Sequence, residues 1–89
     1  MHTPPVIPPE YPCAFPIKVM GLHVEGFAAA IAQVALQFDP GFDPATIEHR
    51  PSAKGNYLGL TITINATSRE QLDELYRTLT THPMVKMVI

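Results

Sequence analysis

The stretch Arg50-Pro51-Ser52-Ala53-Lys54-Gly55-Asn56-Tyr57-Leu58-Gly59-Leu60-Thr61-Ile62-Thr63-Ile64-Asn65-Ala66 decides the fold. In its second half Leu58, Leu60, Ile62, Ile64 and Ala66 fall on one side, and Tyr57, Gly59, Thr61, Thr63 and Asn65 on the other. A period of two among β-branched residues describes a strand with one buried and one wetter face. In the first half, Ser52 to Asn56 are turn residues. Gly55 reaches positive φ without steric cost and Asn56 tolerates it. The stretch therefore reads as a β-hairpin whose regular strand lies at the centre of a small sheet.

Working outward, Thr46 to Arg50 is the short strand that enters the hairpin. Phe15-Pro16-Ile17-Lys18-Val19-Met20 alternates in the same way and reads as the first strand, ended by Gly21. From about Val24 the period changes: Phe27, Ile31, Val34, Ala35 and Phe38 recur at helical spacing through an alanine-rich run, which Asp39-Pro40-Gly41 stops. After the central strand, Thr67-Ser68-Arg69-Glu70 has the form of a capping box, with Thr67 as the cap. Leu72, Leu75, Tyr76 and Leu79 line one side of a second helix, which closes before Pro83. Met84 to Ile89 is a last strand. The order β-α-β-β-α-β, with right-handed crossovers and both helices on one face, predicts an α+β ferredoxin-like sandwich with an antiparallel sheet in the order 4-1-3-2.

At 89 residues the chain is one domain. Chains of this size bury about 60–65 % of their unfolded surface, so the core is small. Five of the ten prolines lie in residues 1–12, which read as a flexible proline-rich arm, with residues 13–89 as the domain. Pro5-Val6-Ile7-Pro8 has the PxxP spacing, but a plain tail is the expectation. The net charge of −2 gives no electrostatic case for nucleic acid. No apolar run is long enough to cross a membrane and no leader pattern opens the chain, so a cytoplasmic location is expected.

No constellation for catalysis or metal binding is visible, and no cofactor is expected. His2, His23, His49 and His82 lack ligand spacing. The single cysteine, Cys13, excludes an internal disulfide and sits among apolar neighbours that disfavour a reactive thiolate. Three regions offer surfaces. The turn Gly21, Leu22 and His23 leads into a helix N-terminus, whose free N–H groups suit a small anion. The hairpin tip, with Arg50, Lys54, Gly55 and Asn56, can hold an anion on its turn N–H groups. The last strand is apolar on both sides, so Met20, Met84 and Val88 are expected to form an apolar patch on the open sheet face beside Lys18 and Lys86, for self-association or a partner. RNA-binding sheets stack bases on aromatics of the central strands, and this face offers only Tyr57.

Tyr11-Pro12-Cys13, Phe15 to Gly21, Arg50 to Tyr57 and His82 to Val88 together resemble the YbeD-like family of small uncharacterised bacterial proteins, over about Tyr11 to Ile89. Where that family commonly reads Pro-Ser-Ser-Lys-Gly-Asn-Tyr, this chain has Ala53, which removes one hydroxyl from the hairpin tip. The resemblance implies a ferredoxin-like fold similar to ACT-type regulatory domains, which pair side by side and bind amino acids near the first strand–helix turn, here Gly21 to Glu25. It also implies a connection with lipoate attachment, since members are often encoded near such enzymes. The leading expectation is a non-enzymatic ACT-like regulatory or interaction module, a homodimer acting through a partner protein or small-molecule effector. The alternative is a small thiol- or acyl-handling enzyme or carrier using Cys13.

Overall fold

A computed structural model describes residues 10–89. The proline-rich arm expected over residues 1–12, with Pro5-Val6-Ile7-Pro8 and His2, lies outside the described residues except for its last three positions. The elements are β1 (Cys13–Leu22), α1 (Phe27–Phe38), β2 (Glu48–Pro51), β3 (Tyr57–Ala66), α2 (Arg69–Thr80) and β4 (Val85–Val88), with a single 3-10 turn at Pro44–Thr46. The strands form one antiparallel sheet in the order β2-β3-β1-β4, which is the expected 4-1-3-2 read from the other edge. The fold is ferredoxin-like. Among the described residues no helix is long and apolar enough to cross a membrane.

β1 and β3 pair without interruption from Cys13 opposite Ala66 to Leu22 opposite Tyr57. The alternation seen in the sequence becomes the two sides of this pair. Ile17 and Val19 from β1 and Leu58, Leu60, Ile62, Ile64 and Ala66 from β3 are buried. The helices cover them with Phe27, Ile31 and Ala35 of α1 and Leu72, Leu75 and Leu79 of α2. Phe42 and Ile47, from the connection between α1 and β2, close the core at one side.

Several boundaries differ from the expectation. β1 opens at Cys13 and not Phe15, and β2 runs Glu48–Pro51 and not Thr46–Arg50, because Thr46 closes the 3-10 turn. β1 does not stop at Gly21 but continues to Leu22. α1 starts at Phe27, not near Val24, because Gly26 takes φ 88° and turns the chain into the helix. α2 is capped one residue later than expected: Ser68, not Thr67, accepts the Gln71 N–H at 3.0 Å.

Gln71, not Glu70, completes that cap. Its Oε1 accepts from the Thr67 N–H at 2.7 Å, and its Nε2 donates to the carbonyls of Phe38 at 2.9 Å and Asn65 at 3.2 Å. One side chain thereby ties together the end of α1, the end of β3 and the start of α2. Gln71→Ala removes three hydrogen bonds and is expected to cost about 1–3 kcal/mol, read as a lower urea midpoint at unchanged slope. On the same helix, partial burial raises the Tyr76 hydroxyl above its ordinary 10.0. The unfolded chain then releases this proton first, so stability present below pH 10.0 is expected to fall as pH rises above it. Tyr76→Phe flattens that decline in alkaline unfolding curves.

The last strand holds the main departure. Val88 lies opposite Val19 and Met87 opposite Met20, but Gly21 lies opposite Val85, so Lys86 is an extra residue in a bulge. The bulge lets Val85 and Val88, three residues apart, both pack on the core, where Met84 joins them. The expected patch of Met20, Met84 and Val88 therefore does not form on the open face, and Lys86 drops out of the row expected beside Lys18. Met20 is joined there by Met87.

Candidate functional site

Both helices lie on one side of the sheet, and among the described residues nothing covers the other. Directly opposed residues share a face, so the register orders this open surface into rows. One row runs Glu48, Thr61, Lys18, and the next Arg50, Gly59, Met20, Met87. Ile89 extends the first: it exchanges backbone hydrogen bonds with Lys18, at 2.8 and 3.3 Å, which places its side chain beside that of Lys18. Of the larger side chains on this face, Tyr57 is 47 %, Met87 52 % and Ile89 65 % exposed, and Met20 is half-buried.

A groove of about 680 Å³ crosses this surface, with Lys18, Met20 and Ile89 on one flank and Arg50, Ser52 and Tyr57 on the other. Gly59 supplies its low point, since a residue without a side chain stands between Arg50 and Met20. Lys18 and Arg50 make no ion pair; among the described residues the one salt bridge is Arg77–Glu74, at 3.1 Å on α2. Glu48 is the single acid of these rows. The groove thus combines apolar side chains with two cations that make no ion pair, a composition suited to binding.

The hairpin above the groove is held by Ser52. Its N–H donates to the Tyr57 carbonyl at 2.9 Å, its Oγ accepts from the Tyr57 N–H at 3.1 Å, and its carbonyl accepts from the Gly55 N–H at 2.9 Å. Gly55 has φ 75°, as the turn reading requires, and Lys54, Gly55 and Asn56 are exposed. Ser52→Ala is expected to cost about 1 kcal/mol through loss of the latch, whereas Ala53→Ser, at an exposed site, is expected to stay within about 0.5 kcal/mol. Thermal unfolding of both variants checks this.

The tip and the first strand–helix turn, separate in sequence, are brought together: the His23 N–H donates to the Asn56 carbonyl at 2.9 Å. Leu22 and His23 are exposed, but Gly21 is buried beneath the Phe27 ring and presents no surface. Cys13 is partly buried at the opposite end of the sheet, paired with Ala66. His82 accepts the Met84 N–H on Nδ1 at 3.1 Å, at the end of α2. Among the described residues no group of histidine, cysteine and acidic side chains has the arrangement of a metal site.

The family model described as "Protein of unknown function (DUF493)" matches residues 9–89. The chain belongs to this family. It is 68 % identical over 80 residues to a UPF0250 protein of Leptothrix cholodnii, covering 90 % of this chain and 88 % of the relative. It is 62 % identical over 94 residues to a UPF0250 protein of Bordetella pertussis, covering both chains fully. A UPF0250 protein of Ralstonia nicotianae is 58 % identical over 90 residues, covering 96 % of this chain and 93 % of the relative. Within this DUF493 chain, two of the stretches that carried the family resemblance meet at the groove: Lys18 and Met20 come from the first and Arg50, Ser52 and Tyr57 from the second, while the last stretch places Met87 next to Met20 on the same face, outside the groove lining. Met87 and Ile89 were missed as site residues in the sequence, because their place on the open face depends on the bulge in β4 and its pairing with β1; Gly59 was read on that face by alternation but not as part of a site.

Proposed function

We propose that this protein is a non-enzymatic, ACT-like regulatory or interaction module that binds a partner protein or a small effector on the open face of its sheet. One observation carries the reading: a helix-free sheet face presents exposed apolar side chains and two unpaired cations around a groove of about 680 Å³. Exposed apolar groups gathered in a patch mark surfaces of interaction, and a groove of this size falls in the range of ligand sites. The one thiol of the chain, Cys13, lies at the other end of the sheet, which disfavours the thiol- or acyl-handling alternative.

Pairing side by side, as ACT domains do, belongs to the same reading, but the sheet edges do not favour it. β2 is blunted by Glu48, Arg50 and Pro51, and β4 is short and carries Lys86 in its bulge, so the open face is the surface offered for association.

Gel filtration and affinity isolation from the native host test the proposal, with Met87→Asp as the control. The expected result is a species above monomer mass that carries a defined partner or effector, which the control loses. A strict monomer isolated bare would overturn it.

A further inference from the structure

We infer that the occupant of the groove is an extended acidic segment of a partner protein, carrying an aliphatic side chain between two carboxylates. This deepens the reading of the open face as a binding face and rests on it.

Charge is the first argument. Lys18, Arg50 and the tip residue Lys54 are three of the six lysines and arginines, whereas Glu48 is one of the eight acids. A chain of net charge −2 thus carries +2 on this face and its hairpin, and −4 elsewhere. Five of the other seven acids lie on α2 or in the connection after α1, Glu70, Asp73 and Glu74 on α2 and Asp39 and Asp43 after α1, while Glu25 lies in the turn that meets the hairpin tip. Asp39 is moreover occupied by the N–H groups of Gly41 and Asn65, at 3.2 and 3.0 Å. Such segregation attracts an anionic partner to one side of the molecule and turns the groove toward it.

Spacing is the second. Arg50 and Lys18 stand two strands and one row apart, roughly 12 Å with strands ~4.8 Å apart and residues ~3.4 Å apart along them. Carboxylates about four residues apart on one side of an extended segment are separated by roughly 13 Å, and the residue midway points the same way. That middle side chain descends onto the low point at Gly59, beside Met20. Methionine adapts its shape to aliphatic partners of varied form, and Met87 and Ile89 prolong the apolar floor. A nucleic acid would meet the same cations, but the face offers Tyr57 as its one aromatic for stacking.

The test uses fluorescence anisotropy with a labelled peptide of about nine residues, repeating glutamate–serine–leucine–serine, a length that exceeds the ~14 Å width of the four-stranded sheet. Its counterparts carry lysine for glutamate, or serine for leucine, and an oligothymidylate serves as a polyanion without aliphatic groups. The expected result is saturable binding of the first peptide, weakened about tenfold or more by Lys18→Glu or Arg50→Glu. Weakening by added salt and by the leucine-to-serine change accompanies it, and Arg69→Glu on α2 has no effect. The double reversal Lys18→Glu/Arg50→Glu is expected to gain affinity for the lysine peptide, a signal that misfolding cannot produce.

No saturable binding of the acidic peptide, or binding indifferent to the reversals, would overturn the inference. Tighter binding of the oligothymidylate would assign the face to nucleic acid, and a dimer dissolved by Lys18→Glu would assign it to a second copy of this chain. If the peptide fails while the host-derived partner is still lost on Met87→Asp, the binding face stands and only its acidic specificity falls.

Discussion

Gly21→Ala is expected to destabilise the protein by about 3 kcal/mol, the upper range for overpacking a core. A Cβ at this position would lie 2.7 and 2.9 Å from two carbons of the Phe27 ring, and closer still to the Met84 carbonyl. Phe27 is fully buried, and the carbonyl belongs to backbone that leads into β4, so neither gives way cheaply. The cause is close approach and not backbone conformation, since positive φ among the described glycines is confined to Gly26 and Gly55. Urea unfolding checks the effect, as a midpoint lowered by roughly 1–3 M for slopes typical of small domains. Phe27→Leu in the same chain is expected to recover part of the loss. Gly41→Ala, whose nearest atom would be 3.6 Å away, is expected to stay within about 0.5 kcal/mol.

The second large effect is expected at Ile62. It is fully buried at the middle of β3, opposite Ile17, between the sheet and both helices. Ile62→Ala removes buried methyl groups and leaves a cavity, at a cost of about 3 kcal/mol within the usual span of 2–5. Its neighbour Thr63 points to the open face and is exposed, so Thr63→Ala is expected to change stability by about 0.5 kcal/mol or less. Adjacent residues with such unequal costs are the energetic form of the period of two. Equal costs would mean that the sheet is covered on both sides.

How much could be read from the residues depended on whether a local pattern had one physical solution. Leu58, Leu60, Ile62, Ile64 and Ala66 alternate with polar or small partners, and such a strand buries only one face. The central pair, the helical stripes and the strand order followed from that. Met84 to Ile89 is apolar on both sides, so alternation carries no information there. The bulge at Lys86, which sends Val85 and Val88 inward and leaves Met87 with Met20, arises from pairing with β1. Gly21 was misread for a related reason. A glycine after an alternating run looks like a strand end, but here it admits Phe27 and the Met84 carbonyl, contacts made by residues distant in sequence.

The cap of α2 moved by one residue because Thr67-x-x-Glu70 and Ser68-x-x-Gln71 are both sound capping pairs in isolation. The second prevails because Gln71 also reaches Phe38 and Asn65. For the site, Lys18, Met20, Arg50 and the hairpin tip were visible as candidates. Their convergence with Ile89 and Gly59 on one groove belongs to the sheet register and to no single motif.

The most direct test of the open face as the binding surface is photo-crosslinking in the native host, with a photoreactive phenylalanine analogue placed at Tyr57 or at Tyr76. Tyr57 borders the groove, and Tyr76 lies on α2 across the sheet. The account predicts a discrete adduct from position 57 that Met87→Asp abolishes, and none of matching yield from position 76. Adducts from position 76 alone, or equal adducts from both that ignore Met87→Asp, would contradict it.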